Sequence, residues 1–192
     1  MIITVSPSVA GGGDFIDRRV NKDDSGIWQY HYDLPAYLIG ATAAGAIWEG
    51  NDTRFGKTLW KSADALIISG VVTQALKYST TRVRPSKTDD PNLWFQGGDN
   101  YSFPSGHVSS VAALVTPIIL EYRDDRPWVY ILAIIPLYEA IGRVNAQAHW
   151  QTDVLAGAAI GVAAGYYEQK ISSPLIFYVL PEGVYMGLKY RF

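Results

Sequence analysis

The chain has 192 residues, 48% of them hydrophobic, and a formal net charge of -2. That length holds one sizeable core and leaves no room for two comfortable domains, and the apolar share excludes a disordered chain. A near-balanced charge without a basic run excludes a nucleic-acid footprint. The lack of any cysteine excludes disulfides, thiolate metal ligands and a cysteine nucleophile.

Residues 1–33 read as an irregular arm. They contain Gly11-Gly12-Gly13 and a mixed-charge stretch from Asp14 to Asp24, poor material for a core. His31, inside Tyr30-His31-Tyr32, reads as a surface or packing histidine. From Leu34 a helical pattern begins, with small residues from Gly40 to Ala46 that favour close helix contact. A second helix starts at the capping residues Asn51 to Thr53. It runs through Trp60, Ile67, Val71 and Leu76 to about Arg82, and Pro85 stops it. Ser86 to Phe103 forms a long loop, a length often tied to function. Helices follow at 106–122, 128–142 and 150–169. In the last segment Val184, Met186, Leu188, Tyr190 and Phe192 recur with a period of two, the pattern of a strand, after a turn at Pro181-Glu182-Gly183.

The expected fold is therefore all-α. One domain, 1–192, comprises the N-terminal arm (1–33), a compact bundle of five or six helices (34–170) and a strand-like segment (171–192) that forms a C-terminal β-hairpin. The apolar runs Val108 to Leu120 and Trp128 to Ala140 fall short of the roughly 20 residues a membrane span needs. Pro117 and Pro136 interrupt them, and Leu59 to Leu76 carries Lys61 and Asp64. These runs read as buried helices of a soluble protein, with peripheral contact as the only expected relation to a membrane. Met1-Ile2-Ile3-Thr4-Val5 lacks the positive region and apolar length of a secretory signal.

Three clusters carry chemistry. Lys77 and Arg84 are seven residues apart, close to two helical turns, so on one helix both cations share a face. Alone, that pair is a solvated basic face. Pro104-Ser105-Gly106-His107 directly precedes an apolar helical run. A helix N-terminus offers unpaired amides and partial positive charge, Gly106 permits close backbone approach, and Ser105 can cap the helix or donate to an anion. Alone, this is an ordinary cap with an incidental histidine. Arg143, His149 and Asp153 form the third cluster. On one helix, residues four apart touch, and an aspartate on one imidazole nitrogen leaves the other free to act as a nucleophile. Alone, a pair at this spacing is more often a structural hydrogen bond.

In this order the clusters resemble the three-part signature of the phosphatidic acid phosphatase type 2 superfamily, which includes secreted acid phosphatases, lipid phosphatases and vanadium haloperoxidases. The match runs from Lys77 to Asp153. One departure is visible: Gly142 stands where the family has serine, which implies the loss of a supporting hydrogen bond with the Arg143 contact intact. The resemblance implies a hydrolase in which Lys77, Arg84 and Arg143 hold phosphate oxygens with Ser105 and the Gly106 amide. His149 attacks phosphorus, Asp153 orients it, and His107 protonates the leaving oxygen and then activates water. No metal or other cofactor is expected, and vanadate is expected to inhibit at the phosphate site. Trp94 and Phe95, in the long loop, are candidates for the substrate mouth.

The implied partner is a phosphorylated small molecule or a lipid phosphate, in the periplasm or another extracytoplasmic space. A vanadium haloperoxidase is the alternative within the fold, disfavoured by the short chain. A non-catalytic anion-binding protein would have no use for His107, His149 and Asp153 together. Short, charge-interrupted helices disfavour a channel-like scaffold.

Overall fold

The computed structural model describes residues 16–170 in full and the backbone of residues 175–180 and 183–188. Five α-helices form the domain: α1 (Leu34–Glu49), α2 (Arg54–Thr80), α3 (Gly106–Tyr122), α4 (Ile134–Asn145) and α5 (Gln151–Lys170). Turns of 3-10 helix precede α1 (Gly26–Tyr32) and α4 (Pro127–Ala133). The fold is all-α, as the periodicity predicts. Two strands, β1 (Leu175–Leu180) and β2 (Gly183–Leu188), pair antiparallel with Leu175 opposite Leu188. This is the hairpin anticipated from the alternation. Residues Lys189 to Phe192 of that pattern, and Gly11-Gly12-Gly13, lie outside the described residues.

Helix starts follow capping chemistry. Thr53 accepts the Gly56 amide at 2.9 Å, satisfying one of the four amides a helix N-terminus leaves unpaired. Leu34-Pro35 opens α1 with proline in the first turn, where its missing N–H costs nothing. The α2 helix ends at Thr80, two residues before the expected limit, because Thr81 takes the left-handed conformation (φ 38°, ψ 46°) and donates its amide to the Lys77 carbonyl. Lys77 and Arg84 are thus not on one helix: Lys77 sits in its last turn and Arg84 in the non-helical segment beyond it.

The largest helix interface is between α3 and α5, with α2 packed against both. Its closeness comes from a glycine every fourth residue along α5. A β-carbon at Gly157 would lie 2.4 Å from the Ser105 carbonyl oxygen, one at Gly161 2.3 Å from the Ser109 carbonyl oxygen, and one at Gly165 2.6 Å from Thr116 Cβ. The two backbones therefore touch. Ala65, Ala113 and Ala164, with Ile68 against them, continue this small-residue core across α2, α3 and α5.

Burial departs from the expectation of a soluble bundle. Val108 to Pro117 on α3 is largely buried, but the Trp128 to Ala140 run is not: Trp128, Ile131, Ile134 and Leu137 are 57 to 64% exposed. The apolar α1 buries only Pro35 and Ala46. Pro127–Asn145, 19 residues counting the 3-10 turn and α4 together, is long and apolar enough to cross a membrane. The pattern of apolar residues reports period, and period alone does not say whether the apolar side meets protein or something else.

Residues 16–33 are tied to the helices. Asp17 and His31 are buried, and the Asp23 amide donates to the Asn145 carbonyl at 3.0 Å, tying the segment to the end of α4.

Candidate active site

The α3–α5 contact brings the two histidine-bearing clusters together. The Ser105 amide donates to the Asp153 carbonyl at 2.9 Å, so the turn before α3 is stitched to the first turn of α5. Ser105 is the N-cap of α3 by position, yet its side chain makes no cap bond, and its Oγ is buried without a hydrogen-bond partner. The first amides of α3 have no acceptor within the helix, so this end presents donors and positive potential. Lys77 reaches it from α2: a β-carbon on Gly106 would lie 3.7 Å from Lys77 Cε, and Lys77 Nζ donates to the Tyr101 carbonyl at 2.7 Å.

His149 lies just before α5, which begins at Gln151, so His149 and Asp153 do not share a helix as their spacing suggests. The His149 ring is buried, and Nδ1 is 2.7 Å from the Ser102 carbonyl but 3.7 Å from Asp153 Oδ2. A carbonyl oxygen can only accept, so Nδ1 carries the proton and Nε2 keeps its lone pair. The contact expected from Asp153 is made through Ser102. The Ser102 hydroxyl donates to Asp153 Oδ2 at 2.5 Å, and the Trp150 amide donates to the same oxygen at 2.9 Å. The latter bond is the reach-back of an acidic residue in the first helical turn, and it explains why the helix starts after His149.

The remaining Asp153 oxygen accepts from Arg82 Nη1 at 2.6 Å. Arg82 is 1% exposed. It also donates to Asp17 Oδ2 at 2.6 Å, to Thr152 Oγ1 at 2.8 Å and to the Pro91 carbonyl. Trp94 covers it, with the guanidinium carbon 4.3 Å from the ring centroid. Trp94 also meets Phe103 edge-on at 5.1 Å. The neighbouring Phe95 is 74% exposed. Of the two candidates for a substrate mouth, Trp94 packs on the Arg82 network and Phe95 faces outward.

The electrostatics follow from burial and a concentration of positive charge. Burial, then the charges of Arg84 and Arg143, lower Lys77 to about 8, with Asp153 opposing. Burial, then Arg143, His31, Lys77 and Arg84, lowers His107 to about 4. Burial lowers His149 to about 3, Asp153 opposing and Arg143 and Lys77 adding to it. Burial works to raise Asp153, but the His149 ring, Arg82 and the Ser102 hydroxyl outweigh it, so this carboxylate stays ionised. Lys77, Arg84 and Arg143 thus act on one another and all three on His107, and Lys77 and Arg143 act on His149 as well, as groups of a single site do.

A family model described as the PAP2 superfamily matches residues 58–175. The chain belongs to the PAP2 superfamily. Among curated relatives it is 33% identical over 131 residues to a lipid A 1-phosphatase of Porphyromonas gingivalis, covering 68% of this chain and 27% of that protein. It is 28% identical over 111 residues to an undecaprenyl-diphosphatase of Sulfolobus acidocaldarius, covering 57% and 52%. With phosphatidylglycerophosphatase B of Bacillus subtilis the figures are 32% over 120 residues, covering 56% of each. The chain thus spans between 27% and 56% of the length of these relatives. The crystal structure of LpxE from Aquifex aeolicus has the same fold, with a TM-score of 0.56 at 20% identity, covering 76% of this chain and 86% of that one.

Within this PAP2 domain the glycine at 142 has a structural cause. A β-carbon there would lie 2.8 Å from Cβ, Cγ and Cδ2 of His31, so the His31 ring fills the space a serine would need.

Arg82, Ser102, Asp17 and His31 were not legible as site residues. Their roles arise from contacts across large sequence separations, 71 residues for Arg82 to Asp153 and 65 for Arg82 to Asp17. The one available signal is a second arginine two positions before Arg84.

Replacing Arg82 by methionine leaves Asp17 and Asp153 buried without their shared cation. Breaking a buried pair from one side typically costs about 3–5 kcal/mol. Arg82→Met is therefore expected to lower the thermal midpoint by several degrees and to lose activity together with it. An unchanged melting curve would show that the network contributes nothing net.

Proposed function

We propose that this PAP2 domain is a phosphatase that removes a phosphate group from a phosphorylated lipid through a covalent phosphohistidine on His149. The observation that carries the reading is the 2.7 Å contact from His149 Nδ1 to the Ser102 carbonyl. It leaves Nε2 unprotonated in a site with three cations. Phosphoryl transfer depends chiefly on positioning and charge neutralisation, and Lys77, Arg84 and Arg143 supply both, with Ser105 Oγ and the Gly106 amide as further donors.

In the first step His149 Nε2 bonds to phosphorus as the ester P–O bond breaks, and His107 gives its proton to the leaving oxygen. In the second, His107 takes a proton from water, whose oxygen bonds to phosphorus as the P–N bond breaks and phosphate leaves. His107 lies too low in the free site to act as an acid at neutral pH. A bound phosphate anion offsets the charges of Arg143, Lys77 and Arg84, which removes part of that depression. The scheme needs no metal ion, the three cations doing the work a metal would do.

A lipid substrate is supported by the relatives, whose names specify lipid A, undecaprenyl diphosphate and phosphatidylglycerophosphate. It is also supported by the apolar side chains that α1, α4 and α5 turn outward, Trp48, Ile134, Leu137 and Leu155 among them. Large apolar side chains exposed in such number mark a place for a partner or a lipid phase. We assign it to the bilayer that holds the substrate, on the extracytoplasmic side.

Three measurements test this reading. Phosphate release from lipid phosphates in mixed vesicles, with chelator present, is expected for wild type and absent for His149→Ala. Equal turnover by both, or loss of wild-type activity to chelator, overturns the mechanism. The second is pH dependence. Lys77 is charged below about 8 and neutral above it, so kcat/KM, which reports the free enzyme, should fall as pH rises through that value. Lys77→Arg keeps its charge and should move the alkaline limb upward; an unmoved limb assigns it to another group. The third is flotation with phosphatidylglycerol-containing vesicles, in which wild type should rise with the lipid and Ile134→Asp/Leu137→Asp should stay behind. Equal flotation of both would place the membrane contact elsewhere.

A further inference from the structure

The mechanism leaves one buried polar cluster unused. His31, in the 3-10 turn before α1, and Glu139, on α4, are both 0% exposed. His31 Nδ1 and Glu139 Oε1 are 3.8 Å apart, and neither ring nitrogen nor either carboxylate oxygen has a hydrogen-bond partner. Buried polar groups in native proteins are nearly always paired, so such a cluster needs a reason, and its desolvation makes it a poor source of stability.

The surroundings supply one. Glu139 and Arg143 are four residues apart on α4 and share a face. Arg143 is 6% exposed, and its Nε is buried without a partner. The His31 ring lies against Gly142, within 2.8 Å of where a β-carbon would be. It therefore borders the backbone from which Arg143 projects. Tyr32 closes the cluster, its ring centroid 4.1 Å from that of His31 and 6.0 Å from the Arg143 guanidinium carbon. Burial raises Glu139 to about 7 with Arg143 opposing, and in its ionised form Glu139 acts on Arg143 as a counter-charge. A carboxylate one turn behind the guanidinium and an imidazole wall beside its backbone are what a floppy, four-torsion side chain needs to present its donors in one place.

We propose that Glu139 and His31 are positioning residues for Arg143: Glu139 holds the guanidinium by charge from within α4, and His31 occupies the space above Gly142 that keeps that turn of the helix in place. This rests on the reading of Arg143 as a phosphate ligand. Neither residue reaches substrate, since both are fully enclosed. The pair also accounts for the glycine: residue 142 must lack a side chain because the stabilising group comes from residue 31 instead.

The test is a double-mutant cycle read by vanadate affinity, measured on the full chain in detergent with vanadate up to millimolar concentration. Glu139→Gln keeps shape and removes charge. It should weaken vanadate about tenfold, the scale of one interaction with a charged group, and have no further effect in an Arg143→Lys background. Equal weakening in both backgrounds would mean that Glu139 acts through the fold at large, and no weakening in wild type would mean that it does not act; either overturns its role. Gly142→Ser should likewise weaken vanadate in wild type and be without further effect once His31→Ala has opened the space. A harmless Gly142→Ser beside an intact His31 overturns the role of His31. If Arg143→Lys binds vanadate as wild type does, the phosphate-ligand reading fails first and the proposal falls with it. Thermal melting of each variant separates these results from loss of fold.

Discussion

A single guanidinium, that of Arg82, joins the parts of this protein that meet at the site. It lies at 1% exposure and bonds Asp17 from the N-terminal segment, Pro91 from the long loop, and Thr152 and Asp153 from the start of α5. The planar fork of arginine suits this task, since its five donors leave in fixed directions and the charge is permanent. Asp17 in turn accepts the Thr152 amide and hydroxyl, adding negative charge at the α5 N-terminus where the helix favours it. Without Arg82 the loop, the arm and α5 would each carry an uncompensated polar group into the interior.

The chain of contacts running from this cation to His149 is indirect. Arg82 fixes one oxygen of Asp153, and Asp153 fixes the Ser102 hydroxyl with the other. The Ser102 carbonyl accepts the hydrogen bond that Nδ1 donates. Each link is short and buried, so the imidazole inherits its orientation from a network spread over four segments. The same arrangement separates the positive charges by use. Arg82 is consumed by carboxylates, whereas Lys77, Arg84 and Arg143 act on His107 and on each other, and Lys77 and Arg143 also on His149.

Much of this was readable from residue order, and the failures are local. Helix positions followed from caps and prolines, and α3 and α5 were anticipated to within a residue at either end. The end of α2 was misplaced because no glycine marks it: threonine adopts the left-handed turn at residue 81. The helical link between His149 and Asp153 failed for a related reason, since Asp153 uses its carboxylate to cap the Trp150 amide and so begins the helix after His149. The Trp128 to Ala140 run reads as core but turns large apolar side chains outward, because periodicity fixes a face and not its neighbour. Arg82, Ser102 and His31 were invisible because each acquires its setting only when distant segments meet.

The glycines of α5 bear on how precisely the two histidine-bearing segments are spaced. Gly157 and Gly161 let the α5 backbone rest on the carbonyl oxygens of Ser105 and Ser109, and His107 lies between those two serines. The spacer between the halves of the site is thus made of main-chain atoms in contact, not of side chains that can change rotamer. Such a spacer has one length. It does not adapt when outward-facing residues are exchanged, so the starts of α3 and α5 keep their separation while the rest of the surface is free to vary.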